Sequence, residues 1–329
     1  MAISVVCFGL GPIGLRVARL VLARPGVQIV GAVDVDPQKT GRDLGELLGG
    51  TAIGVTVSAD AAAILNAARP EVVLHATSSS LARVTPQLLT IAGAGVNVVS
   101  TCEELAYPWT AQPQLAAELD AAARRAGITL LGTGINPGYA MDALPLMLTA
   151  PCASIDAVRV LRVVDAGKRR GPLQHKIGAG MTSAAFEAGV RTGTIRHVGL
   201  PESLHMLATS LGWHLDRSED TIAPVLAEQQ ITTEFVAIEP GQVAGVQQIA
   251  RGFIGEREVL RLELRMYVGA PDPQDSIEID GDPPVRTTIA GGLHGDVATA
   301  ALVVNAIPSV IRAGPGLASM AEVPLVHFW

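Results

Sequence analysis

The chain has 329 residues, room for one large or two ordinary domains. Apolar residues make up 49% and charged residues 17%, but aromatics only 3%, so a large core of Ala, Val and Leu is available. A net charge of −7, with no Lys/Arg run longer than the three residues 168–170, gives no electrostatic footprint for nucleic-acid binding.

Cys7, Cys102 and Cys152 show neither CxxC nor another metal-ligand spacing, so they read as reduced thiols in a cytoplasmic protein with no metal site. The apolar opening has no basic segment before it, and Arg16 and Arg19 interrupt it at helical spacing, unlike a signal peptide. The apolar stretch 297–311 is broken by Asn305 and Pro308 and is too short for a bilayer core of about 30 Å. The expectation is a soluble protein.

Taken in order, "ISVVCFG" is a β-branched run ending in glycine, "PIGLRVARLVLA" has helical spacing, and "VQIVGAVD" is a second strand. "EVVLHAT", "VNVVS" and "ITLLGTG" are further strands, with the helical patterns "LARVTPQLLTIAGA" and "AQPQLAAELDAAARRAG" between them. Nearly continuous apolar strands alternating with helices predict a Rossmann-type parallel sheet covered on both faces, over residues 1–137.

The first turn reads Gly9-Leu10-Gly11-Pro12-Ile13-Gly14. In this pattern the glycines serve a tight turn, close approach of a pyrophosphate, and packing of helix on strand. The helix N-terminus, which begins at Pro12, then faces the anion with free N–H groups such as those of Ile13 and Gly14. Asp34 ends the next strand twenty positions past Gly14, where an acid binds ribose hydroxyls. That acid repels a 2′-phosphate, so NAD is the expected cofactor, with NADP tolerated. Lys39 and Arg42, which follow closely, could move to meet a 2′-phosphate but read first as solvated loop charges.

Ligands of an open parallel sheet bind outside the carboxyl ends of its strands. Three of those ends are polar here. "HATSSS" brings His75, Thr77 and Ser78, with Thr77 and Ser78 placed to line the nicotinamide ribose and phosphates or to cap a helix. "GTGINPGYAMD" is a sharp turn carrying Asn136, a candidate cofactor ligand, and Tyr139, a candidate for the substrate pocket. "STCEEL" carries the adjacent acids Glu103 and Glu104. One can serve as a general acid–base while the other complements a helix dipole. Glu103 is the first choice for catalysis and Glu104 stands close behind.

Beyond residue 152, "SIDAVRVLRVVDA", "QITTEFVAIE", "VAGVQQIARGFI", "EVLRLELRMYVG" and "DSIEIDG" alternate apolar and polar residues. They predict an α+β second domain with an open, mostly antiparallel sheet, residues 138–293, for substrate binding and dimerisation. An apolar sheet face with too few helices to cover it points to a homodimer. His197 and His294, each near turn glycines, are candidates for the substrate pocket, and Asp296 for closing the site or capping a helix. Arg159 and Arg162 sit on an alternating strand and read as solvated. The helix expected over 294–313 is apolar nearly all round and should pack back on the first domain.

"GLGPIG", "STCEELAYP", "GTGINPGYAMDALP" and "GGLHGDVATAALVVNAIP" together resemble the 2,4-diaminopentanoate dehydrogenases and related native amine dehydrogenases, whose N-terminal domain is similar to that of dihydrodipicolinate reductase. The resemblance implies an NAD(P)H-dependent enzyme converting ketone or aldehyde plus ammonia to amine and back, with a catalytic glutamate at the "STCEEL" strand end. It does not choose between Glu103 and Glu104. Another reductase on this architecture is the near alternative, and a non-catalytic NAD(P)-binding sensor the alternative of a different class. Neither GxSxG nor HExxH occurs, which removes serine-hydrolase and zincin readings.

Overall fold

The computed structural model describes residues 2–168 and 171–329. The chain forms two compact units, one from Met1–Tyr139 with His294–Trp329 and the other from Ala140–Leu293.

The first unit opens with β1 (Ile3–Phe8), α1 (Pro12–Ala23) and β2 (Val27–Val33). Next come α2 (Leu44–Leu47), β3 (Val57–Ser58) and α3 (Ala61–Ala68), short pieces that the sequence pattern did not announce. β4 (Val72–His75), α4 (Leu81–Gly93), β5 (Asn97–Ser100), α5 (Pro113–Ala126) and β6 (Thr129–Gly132) complete the alternation. α1 follows from its sequence: Pro12 fits the first turn, where no N–H is needed, and Val17, Ala18 and Val21 recur at helical spacing on the buried side. α5 ends at Gly127, whose φ of 70° is the left-handed cap a glycine adopts without strain.

The second unit holds α6 (Ala143–Leu148), β7 (Ser154–Asp165), α7 (Gly171–Lys176), α8 (Ser183–Arg191), α9 (Leu200–Ser210) and β8 (Arg217–Leu226). After them come β9 (Ile231–Thr232), β10 (Ala237–Ile238), β11 (Val243–Ile254), β12 (Arg257–Tyr267), β13 (Gln274–Asp282) and β14 (Val285–Ala290). Its sheet runs β14-β13-β7-β12-β11-β8 and is antiparallel except where β12 pairs with β7. The predicted strand "QITTEFVAIE" is only the β9–β10 hairpin, outside this sheet. An unpredicted edge strand, β8, takes its place. Pro224 and the charged start of β8 hide it from pattern reading, and an edge tolerates both.

The expectation of an uncovered apolar face is corrected. Side chains alternate along β12: Leu260, Leu262 and Leu264 are fully buried on one face, where α9 lies across β11 and β12. The other face carries Arg261, Glu263 and Arg265, with Glu263 accepting from both arginines and from Gln247. Those hydrogen bonds hold the Glu263 carboxyl below its ordinary range, against the opposing effect of burial.

The solvated reading of Arg162 is corrected too. Its side chain is 3% exposed and its Nη1 lies 2.6 Å from Asp275 Oδ1, itself 1% exposed. Both close on Leu293, whose carbonyl accepts from Arg162 and whose N–H donates to Asp275. Arg159 stays half exposed and pairs with Asp280.

The chain then rejoins the first unit through α10 (Gly295–Asn305), α11 (Ile307–Arg312) and β15 (Gly316–Ala318). One helix was expected over 294–313, but there are two, joined at Ala306. Pro308 has no N–H for the Val304 carbonyl, which interrupts the ladder. β15 pairs parallel with β6 and completes a seven-stranded parallel sheet, β15-β6-β5-β4-β1-β2-β3. Val303, Val304, Ile307 and Val310 join α1 in the core on one side of it, and Leu88, Leu119 and Ala123 of α4 and α5 fill the other.

Candidate active site

The strand order reverses between β1 and β4, which opens a crevice at the carboxyl ends of the sheet. Gly9 there has φ +88°, and a Cβ on it would lie 2.5 Å from the Ala76 carbonyl oxygen. A Cβ on Gly14 would collide with the Gly9 carbonyl, so only glycine lets α1 pack this close to the turn. Gly11 differs, with nothing within 4 Å of its Cβ position. It is the N-cap residue of α1, and no side chain among the described residues caps that helix. Space beside an uncapped N-terminus suits a pyrophosphate.

Asp34, at the end of β2, accepts from Leu10 N–H at 2.6 Å and Asp36 N–H at 2.9 Å, so it also braces the glycine turn. Lys39 is not a solvated loop charge. Its Nζ sits 3.4 Å from Asp34 and 3.1 Å from Asp36, with the side chain 24% exposed. Desolvation works against that ammonium, but the two aspartates outweigh it and raise its pKa.

His75 is fully buried beneath the β4 end, and burial lowers its pKa to about 4, so the ring is neutral at physiological pH. Its Nε2 lies 2.8 Å from Gln87 Oε1, which can only accept, so the proton sits on Nε2. Nδ1 then accepts from Ser100 Oγ at 2.9 Å, and Ser100 Oγ accepts from Cys102 N–H. Thr77 Oγ1 donates to Gln87 Oε1, so that hydroxyl belongs to this network. Ser78 Oγ accepts from Ser80 N–H at the approach to α4. The network joins the β4 and β5 ends and fixes the residue before Glu103. Gln87 and Ser100 were not singled out from sequence, since nothing local to either marks it as a partner of His75.

Glu103 and Glu104 lie in a single 3₁₀ turn, Glu103–Leu105, directly after β5. Glu104 Oε2 accepts from Leu81 N–H and from Gln112 Nε2, both at 2.8 Å. Ser80 provides no side-chain cap to α4, so Glu104 does this from 23 residues away. Cys102 is no nucleophile: burial first, then the neighbouring acids, raise its thiol pKa to about 12.

At the β6 end, Asn136 is 8% exposed, and neither its Oδ1 nor its Nδ2 has a partner among the described residues. The same holds for Thr133 Oγ1, a residue the sequence reading passed over although it sits in the quoted "GTG". Each buried polar group left unpaired costs about 1–3 kcal/mol. The turn is held from α10, where Thr299 Oγ1 accepts from Ile135 N–H. Gly138 has φ +121°, and its Cβ position meets the Gly134 backbone, so the turn requires glycine.

Residues 139–329 match the model of the 2,4-diaminopentanoate dehydrogenase C-terminal domain. The chain belongs to that family. Residues 3–102 match the dihydrodipicolinate reductase N-terminus, the part that carries the glycine turn and Asp34. A 2,4-diaminopentanoate dehydrogenase of Acetoanaerobium sticklandii is 30% identical over 98% of this chain and 94% of its own length. An amine dehydrogenase of Streptomyces virginiae is 29% identical over 98% of this chain and 96% of its own length. The solved amine dehydrogenase of Mycobacterium smegmatis superposes with a TM-score of 0.88 at 32% identity, covering 100% of this chain and 98% of that one.

The remaining pocket candidates of this family member lie in both units. Tyr139 and His294 belong to the first, and His294 is exposed at the start of α10, with Asp296 in that helix's first turn. His197 belongs to the second, where its N–H donates to Gln248 Oε1. Gln248 Nε2 in turn donates to Asp220, whose pKa is raised by burial against the pull of Gln248 and Arg196.

Proposed function

We propose that the protein catalyses the reversible NAD(P)-dependent amination of a small carbonyl compound, with Glu103 as the acid–base residue. As a family member it is an oxidoreductase acting on amines, and a nicotinamide cofactor goes with that chemistry. One observation carries the choice of glutamate. Glu104 caps the α4 N-terminus and holds Gln112, a structural role that supports Glu103, the first choice from sequence, as the acid–base residue.

The residues fit a dinucleotide, given the open space at Gly11 and the unpartnered amide of Asn136. Gly9, Gly11, Pro12, Ile13, Gly14 and Asp34 would line the adenosine and pyrophosphate, and Ser78, Asn136 and the Thr77 backbone the nicotinamide half, since the Thr77 hydroxyl donates to Gln87. When bound, the cofactor supplies or accepts the hydride. Glu103 relays a proton from the attacking ammonia nitrogen to the carbonyl oxygen. It then takes one proton from solvent and gives it to the carbinolamine hydroxyl, which leaves as water. The restored carboxylate stabilises the iminium cation by its charge. Carbonyl, ammonia, NAD(P)H and one proton thus give amine, water and NAD(P)+.

Asp34 supports NAD as the preferred cofactor, and Lys39 beside it supports tolerance of NADP. The Arg162 charge is matched by Asp275, which favours an uncharged carbonyl over an amino-acid substrate in the second unit. Diaminopentanoate oxidised with a higher kcat/KM than every simple amine would reverse that choice. Free, largely buried cysteines support a cytoplasmic setting. The first unit acts as the dinucleotide domain. The second provides substrate contacts and a homodimer interface, its ionic sheet face offering Arg and Glu to a symmetric copy; a solution mass near 34.0 kDa would count against the dimer.

The decisive experiment uses amine and NAD+ with the Glu103→Gln and Glu104→Gln enzymes. Glu103→Gln is expected to bind cofactor normally and lose about 10²–10⁴-fold in turnover. Near-wild-type turnover by Glu103→Gln would remove it from the chemistry.

A further inference from the structure

We infer that Asn136 is the recognition residue for the carboxamide of the nicotinamide ring. This rests on the dinucleotide reading above. Asn136 has two buried hydrogen-bonding atoms of opposite kind, Oδ1 an acceptor and Nδ2 a donor, and neither is paired among the described residues. A fold retains such a pair at a cost, so a ligand is expected to satisfy both at once.

The chemistry of that ligand is constrained. Ammonium or an amine cation only donates, so it could pair with Oδ1 but would leave Nδ2 unsatisfied. A hydroxyl or phosphate does not present an amide's donor and acceptor side by side. A primary carboxamide does, and it pairs with another in two parallel hydrogen bonds. Location agrees. In a sheet of this order the adenine half of a dinucleotide lies over β1, β2 and β3, and the nicotinamide half over β4, β5 and β6. Asn136 follows β6, and Glu103 follows β5 beside it. The turn is braced independently of any ligand, by the Thr299 hydroxyl on Ile135 N–H and by the glycine requirement at Gly138. Asn136 is therefore presented on a backbone already in place.

The test is equilibrium binding, which does not depend on turnover. NADH, its 3-acetylpyridine analogue and ADP-ribose are titrated against wild type, Asn136→Asp and Asn136→Leu. The acetyl group keeps the ring's acceptor and lacks the amide donor; ADP-ribose lacks the ring. Wild type should bind NADH about tenfold more tightly than the analogue, and Asn136→Leu should lose about tenfold for NADH and nothing for ADP-ribose. Asn136→Asp should lose less than Asn136→Leu, since its carboxylate still accepts from the amide N–H. Equal losses for NADH and ADP-ribose, or unchanged NADH affinity in Asn136→Leu, would overturn the assignment. If the variants do not fold, equal wild-type affinity for NADH and the acetyl analogue overturns it alone. Wild type binding neither NADH nor ADP-ribose would instead defeat the dinucleotide reading.

Discussion

Glu104 is the residue whose removal tests the division of labour at the β5 turn. Its carboxylate receives two 2.8 Å hydrogen bonds, one from the α4 N-terminus and one from Gln112. In Glu104→Gln the side-chain oxygen can still accept both, so the loss is the charge at the helix dipole, about 0.3–1 kcal/mol. In Glu104→Ala both acceptors go. Leu81 N–H is the first helical donor of α4 and has no cap from Ser80, while Gln112 sits just before α5. A lost cap of about 1 kcal/mol and a lost charged hydrogen bond of about 1.5–3 kcal/mol together make roughly 3 kcal/mol. Urea unfolding followed by far-UV circular dichroism should resolve this order: wild type, Glu104→Gln, then Glu104→Ala well below. Amine oxidation by folded Glu104→Gln should stay within about tenfold of wild type, against the 10²–10⁴-fold loss for Glu103→Gln. The reasoning fails if Glu104→Ala is as stable as wild type, or if Glu104→Gln loses turnover as severely as Glu103→Gln is expected to.

Lys39→Ala should raise the KM for NADP by about tenfold, the scale of one charge-assisted hydrogen bond, and leave that for NAD within a factor of two; an equal change for both would place Lys39 outside the ribose site. His75 titrates in acid. Its folded pKa of about 4 lies below the ordinary 6.5, so the stability tied to the neutral ring is complete above pH 6.5 and is lost as pH falls towards 4. About 3 kcal/mol rides on that window, and urea midpoints of His75→Gln should fall less between the two pH values than those of wild type. Arg162→Leu or Asp275→Leu alone should cost about 3–5 kcal/mol in urea unfolding, and the double variant clearly less than either; additive losses would mean that the two do not act as a pair.

What could be read along the chain was whatever short-range rules govern. The glycine turn, the acid twenty residues on and the apolar strands of the first unit each depend on neighbours within a few turns of chain, so spacing alone exposes them. That the polar strand ends would lie together was legible for the same reason, because a parallel sheet gathers its strand ends at one edge. Their individual jobs were not. Glu103 and Glu104 are adjacent and chemically identical, and what separates them is Leu81, 23 residues upstream, brought to one of them by the packing of α4 on β5. Arg162 occupies a polar position in an alternating strand and looked solvated until Asp275, 113 residues later, met it inside the fold. Lys39 looked like a loop charge until the curl after β2 set it against Asp34. Whether a charge is solvated, paired or capping depends on which distant group desolvates or neutralises it, and that is decided only when the sheets and helices come together.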